Sequence, residues 1–206
     1  MKRFYVLYGF LFVCFTLLSF VSETNGQTGA ETYTGTVLSY GSGFNTRTVT
    51  RNFTLNITGQ TTNERAQELL GILQEDGQQN LLGKIDDTEL GRFSVGASVG
   101  IPINVVRESM VDGKRRIIIV FERWTQFAEL RGGYRSLDYP FGVVELFVDE
   151  ATGKGEGTYI AAAKIRMDYD DKKKQHQVEI ENFATYPARL LGVTLSGKKR
   201  SGVNVR

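Results

Sequence analysis

Polar and apolar residues alternate along most of the chain that follows residue 31. The clearest example spans residues 48–58, where Val49, Phe53, Leu55 and Ile57 share one face and threonines and asparagines occupy the other. Successive side chains of a strand point to opposite faces, so this pattern predicts a strand with one buried face. Similar segments recur at short spacing downstream, which is typical of antiparallel all-β folds.

The most apolar run after the N-terminal segment is Ile117–Phe121, in which no polar residue interrupts five consecutive apolar ones. Such a run predicts a strand that is buried on both faces, and we expect it at the centre of the sheet. The pair Asp112-Gly113 just before it is typical of a tight hairpin turn. Residues 141–148 form another strand pattern. A further strand places five residues on one predicted face: Tyr159, Ala161, Ala163, Ile165 and Met167.

One segment has helical rather than strand periodicity. Thr61-Thr62-Asn63-Glu64 matches a capping box, and Ala66, Leu69 and Leu73 follow at helical spacing before Gly77 provides a stop signal. A further short turn could follow around Leu81. The fold class predicted from these patterns is mainly β, an antiparallel β-barrel or sandwich of about 8–9 strands with one packed α-helix.

The N-terminus has the layout of a secretory signal. Lys2 and Arg3 precede an apolar stretch over residues 4–21, and small or polar residues follow. We predict a signal peptide at 1–26 and a single β-rich domain at 27–206, with an ordered core over about 32–196 and a frayed basic tail. The protein is then secreted or periplasmic, with no membrane span after cleavage; an uncleaved anchor is the alternative.

Composition removes several chemistries. The only cysteine, Cys14, lies in the predicted signal, and His176 is the only histidine. The residues needed for a thiolate or histidine metal site, or for a Ser-His-Asp triad, are therefore almost absent from the sequence. We predict no cofactor and no metal. Removing Lys2, Arg3 and Glu23 from 25 basic and 23 acidic residues leaves 23 and 22, a net charge of +1, so bulk charge predicts no nucleic-acid partner.

The densest mixture of charged, aromatic and loop-forming residues follows the apolar run. An aromatic-lined pocket with a few guanidinium groups would suit a small amphipathic or acidic ligand, such as a fatty acid or an anionic lipid. The alternative is that these charges pair with one another at the rim of the sheet. The candidate ligand-binding residues are Arg123, Trp124, Arg131, Tyr134, Arg135 and Tyr139.

Four short segments carry a resemblance. They are Arg115-Arg116-Ile117-Ile118, the run 135–141, Gly155-Glu156-Gly157 with Ala161-Ala162-Ala163-Lys164, and Glu179-Ile180-Glu181-Asn182. Together they resemble an uncharacterised family of exported bacterial proteins. The resemblance implies export, and it supplies no catalytic or binding residue.

Three functions are compatible with these patterns. We expect a non-catalytic binding module for a small amphipathic or acidic ligand, and the main alternative is a structural or interaction protein of the cell envelope. A cofactor-free hydrolase with a carboxylate pair such as Glu122 and Glu129 is a third. A barrel with an internal cavity would favour the first, a filled core with exposed aromatic residues the second, and two carboxylates ~5–10 Å apart in a cleft the third.

Overall fold

The computed structural model describes residues 29–40, 47–124, 135–170, 174–184 and 186–198. These residues form one antiparallel sheet with a helical layer on its outer side. Within the described ranges lie ten strands, two α-helices and one 3-10 helix: β1 Glu31–Ser39, β2 Val49–Ile57, α1 Asn63–Glu75, α2 Gly77–Ile85, β3 Gly91–Val95, β4 Ile101–Pro102, β5 Val105–Val111, β6 Lys114–Glu122, the 3-10 helix Arg135–Asp138, β7 Phe141–Val148, β8 Lys154–Asp170, β9 Gln175–Asn182 and β10 Ala188–Lys198.

Every strand pairing is antiparallel, which confirms the predicted mainly β class. The strand order is β4-β3-β2-β1-β10-β8-β7-β6-β5, and β9 pairs with β8 outside this path. The turn between β5 and β6 uses Asp112 at φ 49° and Gly113 at φ 76°. Two consecutive positive φ angles define the tight hairpin turn predicted from this residue pair.

The helical segment also begins where the sequence indicates. The hydroxyl of Thr62 accepts a hydrogen bond from the backbone N–H of Arg65 at 3.2 Å, which caps α1. Gly77, at φ 79°, ends α1, but a second helix of nine residues follows at once. The sequence predicted a short turn here, and the longer element forms because Leu81 and Ile85 are both buried.

The interior of the curved sheet is filled by large side chains. Phe93 of β3 and Phe121 of β6 lie 5.9 Å apart between ring centroids, and Tyr159 of β8 lies 5.0 Å from Phe93. Strands β3 and β6 stand near opposite ends of the strand order, so the sheet curls around this core, although its described end strands, β4 and β5, are not paired with each other. The fold is therefore barrel-like.

The segment that carries β4 and β5 joins the two ends of the sheet. Its first part pairs with β3, where the N–H of Ile103 donates to the carbonyl of Gly91 at 3.0 Å. Its second part pairs with β6, and the N–H of Asn104 donates to the carbonyl of Val120 at 3.2 Å. One continuous stretch of chain thus contacts both ends.

A second core lies outside the barrel, between the helices and strands β6 to β8. Its buried members are Leu69, Leu73, Leu81, Ile85, Phe141, Val143, Ala163 and Ile165. Val120 of β6 packs against it, whereas Ile119 and Phe121 face the interior. Both faces of β6 are therefore covered as predicted, although β6 is next to last in the strand order and not central.

The predicted common face of residues 159–167 is confirmed for Ala163, Ile165 and Met167 and is wrong for Tyr159. The pairing of β8 with β7 shifts register between Ile160 and Ala163. A bulge of this kind changes which face later residues occupy. Tyr159 consequently packs against the interior core, while Ile160, Ala163 and Ile165 belong to the helix-side core.

Candidate functional site

Arg123, the first of the predicted site residues, is buried with 8% of its surface exposed. Its Nε donates to the carbonyl of Tyr139 at 2.7 Å, and its Nη2 donates to the carbonyl of Ser136 at 2.8 Å. The backbone N–H of Arg123 also donates to the carbonyl of Pro140 at 2.9 Å. The guanidinium therefore holds the 3-10 helix against the end of β6.

Tyr139 continues this connection toward β9. It is 4% exposed, and its hydroxyl donates to Glu181 Oε1 at 2.5 Å. Its ring also meets that of Phe183 edge-on at 5.2 Å. Trp124, in contrast, is 78% exposed. The structure thus brings Arg123 and Tyr139 together and leaves the Trp124 side chain at the surface.

The structure does not describe the side chains of the remaining predicted ligand-binding residues. Arg131 and Tyr134 lie outside the described residues. Arg135 is the first residue of the 3-10 helix, and its side chain is also outside the description. The role of these three residues stays a prediction.

Of the two carboxylates that the hydrolase alternative needs, only that of Glu122 lies in the described part of the chain. Burial, and then the negative charge of Asp86, raise the pKa of Glu122. Its suggested partner Glu129 lies outside the described residues. Over the described part of the chain, no three histidine, cysteine, aspartate or glutamate residues are grouped so as to hold a metal ion. His176 instead packs edge-on against Tyr169, with 5.1 Å between ring centroids.

Two surface depressions on the described residues differ in size and in enclosure. One, of about 160 Å³, lies beside the start of α1 and is lined in part by Thr61, Arg65 and Asn104. The other, of about 380 Å³, is a shallow surface feature beside Glu89 and Arg92. Ligand pockets of about 300–1,000 Å³ normally enclose most of their ligand. The first depression is smaller than this range, and the second is open to solvent.

A buried ionic cluster links the beginnings of β1 and β6. Arg115 Nη1 lies 2.9 Å from Glu31 Oε2, and Arg115 Nε donates to Glu108 Oε2 at 2.8 Å. The hydroxyl of Tyr33 donates to Glu31 Oε2 at 2.8 Å. Burial is the main cause that raises the pKa of this hydroxyl. Each charge has an opposite partner, so the cluster is a structural connection inside the fold.

The sequence contains a signal for this cluster that residue counting missed. Arg115 shares its strand face with Ile117 and Ile119, and Glu31 shares its face with Tyr33. Charges in phase with buried residues must find partners on folding. Two opposite charges of this kind on different strands therefore indicate a buried pair.

The part of β8 beyond residue 163 pairs only with β9 among the described residues. This β8–β9 hairpin comprises residues 163–170 and 175–182. Ile165 lies opposite Ile180, and Met167 lies opposite Val178. Ile165 is 4% exposed beneath the helices, whereas Ile180 is 38% exposed and Val178 is 43% exposed. One apolar face thus begins under the helical layer and continues into solvent.

The other face of the hairpin is charged. Arg166 Nε lies 2.8 Å from Glu179 Oε2, and Glu181 follows on the same face of β9. The carboxylate pKa of Glu179 is lowered by its hydrogen bond to Arg166. The hairpin is therefore amphipathic, with a network of ions on one side and exposed aliphatic residues on the other.

Strands β5 and β9 both lie at edges of the sheet, and their outer edges differ in how they are covered. On β5, the N–H of Val106 donates to Thr61 Oγ1 at 3.0 Å, and the N–H of Thr61 donates to the Val106 carbonyl at 2.9 Å. Arg107 adds a hydrogen bond to the Thr61 carbonyl at 2.8 Å. On β9, no strand of the described chain pairs with the edge that faces away from β8.

Comparison with known protein families, curated proteins and solved structures finds no significant match for this chain. The resemblance to an exported bacterial family therefore stays a prediction. In the described residues, no helix is both long and apolar enough to span a membrane. Fold and surface together define a mainly β, barrel-like protein with a filled interior and an amphipathic hairpin at its edge.

Proposed function

We propose that this protein is a non-catalytic interaction protein that binds an extended segment of a polypeptide along β9. The observation that carries the proposal is that, among the described residues, no strand pairs with the outer edge of β9, which lies beside an exposed apolar face. An extended peptide can add a strand to such an edge, with backbone hydrogen bonds supplying affinity and side-chain contacts supplying specificity.

The composition of β9 supports this use of the edge. Natural sheets protect exposed edges with charged residues, lysine above all, and with proline, bulges or covering loops. The sequence of β9, Gln175–Asn182, contains neither lysine nor proline, and its two charged residues, Glu179 and Glu181, share one face. Edge strand β5, in contrast, is covered at Val106 by Thr61. The contrast favours a partner for β9.

The two faces of the hairpin define the chemistry of that partner. A strand added to β9 would place alternate side chains beside Val178 and Ile180 on one face and beside Glu179 and Glu181 on the other. We therefore expect a segment that alternates apolar residues with basic or neutral polar ones. Like charges directly opposite each other would oppose pairing.

Two observations favour an interaction protein over a small-ligand carrier. The barrel interior is occupied by its own aromatic rings, including Phe93 and Phe121. The guanidinium of Arg123, which an acidic ligand would need, donates to the carbonyls of Ser136 and Tyr139. Exposed aromatic residues such as Trp124 and Tyr186 add contact area at the surface.

We further propose that the protein acts outside the cytoplasm. The support is the basic pair Lys2-Arg3 followed by the apolar stretch over residues 4–21. A secreted or periplasmic location would explain why the chain places its only cysteine in that stretch.

The test is site-specific photocrosslinking in the native host. A photoreactive amino acid at Ile180 should form adducts with an extended segment of another chain, identified by mass spectrometry. The matched control is Met110, an exposed residue of the opposite edge strand β5. A peptide made from the crosslinked segment should bind the purified protein, and Ile180→Lys should weaken that binding at least ~10-fold. Equal adduct yields at Met110 and Ile180, or no adduct at Ile180, would contradict the proposal.

A further inference from the structure

We infer that the extended segment bound by β9 is β9 of a second copy of this chain, in an antiparallel arrangement with Val178 on the two-fold axis. This inference rests on the proposed function and names its partner. It is argued from the hydrogen-bonding phase of β9, the alternation of its faces, and the register that places a neutral glutamine rather than a second glutamate opposite Glu179.

The hydrogen-bonding phase is set by the pairing with β8. The N–H of Phe183, the residue that follows β9, donates to the carbonyl of Ala162 at 3.0 Å, so the backbone N–H of Phe183 points toward β8. In an antiparallel pair, hydrogen-bonded and non-hydrogen-bonded positions alternate. Counting back along β9, His176, Val178 and Ile180 direct their backbone N–H and carbonyl groups away from β8. A second strand that pairs with β9 would form its backbone hydrogen bonds with these outward-pointing groups.

The faces impose the same phase independently. Val178 and Ile180 lie on the apolar face, and Glu179 and Glu181 lie on the charged face. A one-residue slip in register turns every side chain to the other face. A second β9 must therefore place its even-numbered residues opposite even-numbered ones. Both the backbone groups and the side chains then match.

Two registers keep this phase and pair the largest number of β9 residues: one has Val178 on the two-fold axis, and the other has Glu179 there. The charges of β9 distinguish between them. With Val178 opposite its own copy, Gln177 of each strand lies opposite Glu179 of the other strand. A glutamine amide can donate to a carboxylate. With Glu179 at the axis, Val178 meets Ile180, but the two Glu179 carboxylates face each other. Like charges directly opposite destabilise a strand pair, so the Val178 register is favoured.

The resulting dimer is closed and symmetric. A two-fold axis perpendicular to the sheet makes the contact isologous, so neither copy retains an open β9 edge. The apolar faces of both hairpins fall on the same side of the joined sheet. Tyr169, Val178 and Ile180 of each copy then form one continuous apolar surface flanked by the two helical layers.

The first measurement is the mass of the protein in solution. The protein is purified from its host, its N-terminus is assigned by mass, and sedimentation is recorded from ~5 to ~500 µM, because short strand-pair contacts are weak. We expect a reversible monomer–dimer equilibrium. Val178→Lys should raise the dissociation constant at least ~10-fold, since two ammonium groups would meet at the axis. Met110→Lys on β5 should leave it unchanged.

Disulfide trapping tests the register. All variants carry Cys14→Ser, which removes the only natural cysteine. Val178→Cys should form covalent dimers at least ~10-fold faster than Glu179→Cys or Met110→Cys, because facing residues of paired strands lie about 4.5–5.5 Å apart. Circular dichroism of each variant should match that of the parent, since Val178 and Met110 are exposed.

The outcomes separate this inference from the proposed function. A monomeric mass over the whole range, or equal trapping at Met110 or Glu179, overturns the homotypic pairing. If the purified protein is monomeric but photocrosslinking at Ile180 identifies a different chain, the inference fails and the proposed function stands. If neither a dimer nor an Ile180 adduct is found, both fail.

Discussion

Strand β8 passes through two regions of the molecule. Its backbone is extended in both, but the regions differ in which strands and side chains pack against it. Up to Ile160 it belongs to the barrel body, where β7 and β10 flank it and a core lies on each face. From residue 163 it belongs to the β8–β9 hairpin, where only β9 pairs with it among the described residues. Apolar side chains are present in both regions, but only the body buries them on both sides.

The arginines of the two regions show the same contrast. In the body, Arg115 is 12% exposed and meets a glutamate, Glu31, that is 3% exposed. In the hairpin, Arg166 and Glu179 are 50% and 40% exposed, at a similar distance of 2.8 Å. Exposed pairs contribute little because water and salt screen them, whereas removing one partner of a buried pair is costly. Ion pairs with similar distances are therefore expected to affect stability differently in the two regions.

The largest expected effect is the difference in unfolding free energy between replacing Arg115 and replacing Arg166. Arg115→Leu should lower the free energy of unfolding by about 3–5 kcal/mol, because it removes the guanidinium that pairs with the buried carboxylate of Glu31. Arg166→Leu should cause a change too small to resolve beside it. Urea unfolding of both variants measures the difference. Equal losses would show that the body and the hairpin do not differ in this respect.

A smaller effect is expected from one residue type placed in both regions. Ile119→Ala should cost about 2–5 kcal/mol, because Ile119 is 0% exposed in the interior core and its truncation leaves a cavity. Ile180→Ala, at 38% exposure, should cost less than ~1 kcal/mol. Thermal and urea unfolding are recorded at dilute concentration, so that association does not contribute. A larger loss at Ile180 would mean that the hairpin face is covered in the monomer.

The smallest effect concerns the connection between body and hairpin. Tyr139→Phe removes the hydroxyl that donates to Glu181 and should cost about 1 kcal/mol, since this carboxylate is partly solvated. Hydrogen exchange should quicken in β9 and stay unchanged in β6. Tyr186→Phe is the control, because Tyr186 is 67% exposed. Equal acceleration in β6 and β9 would contradict a local role for the hydroxyl.

The predicted site could be only partly derived from sequence. The pattern grouped Arg123 and Tyr139 as candidate site residues, and the structure places them in contact through the hydrogen bond from Arg123 Nε to the Tyr139 carbonyl. It did not reveal that the guanidinium would bind the carbonyls of Ser136 and Tyr139, because backbone acceptors have no sequence signature. The bulge near Ala163 was also hidden, since an extra residue in a strand leaves alternation intact on either side of it.

Sequence by itself determined the local elements. Alternation specified the strands, Asp112-Gly113 specified a hairpin turn, and Thr62 specified the start of α1, because each depends on neighbouring residues alone. Tertiary structure decided which apolar residues are covered. Ile165 and Ile180 face each other across the same strand pair, yet one is 4% and the other 38% exposed. The helical layer reaches the first and stops short of the second, and burial depends on that distant cover.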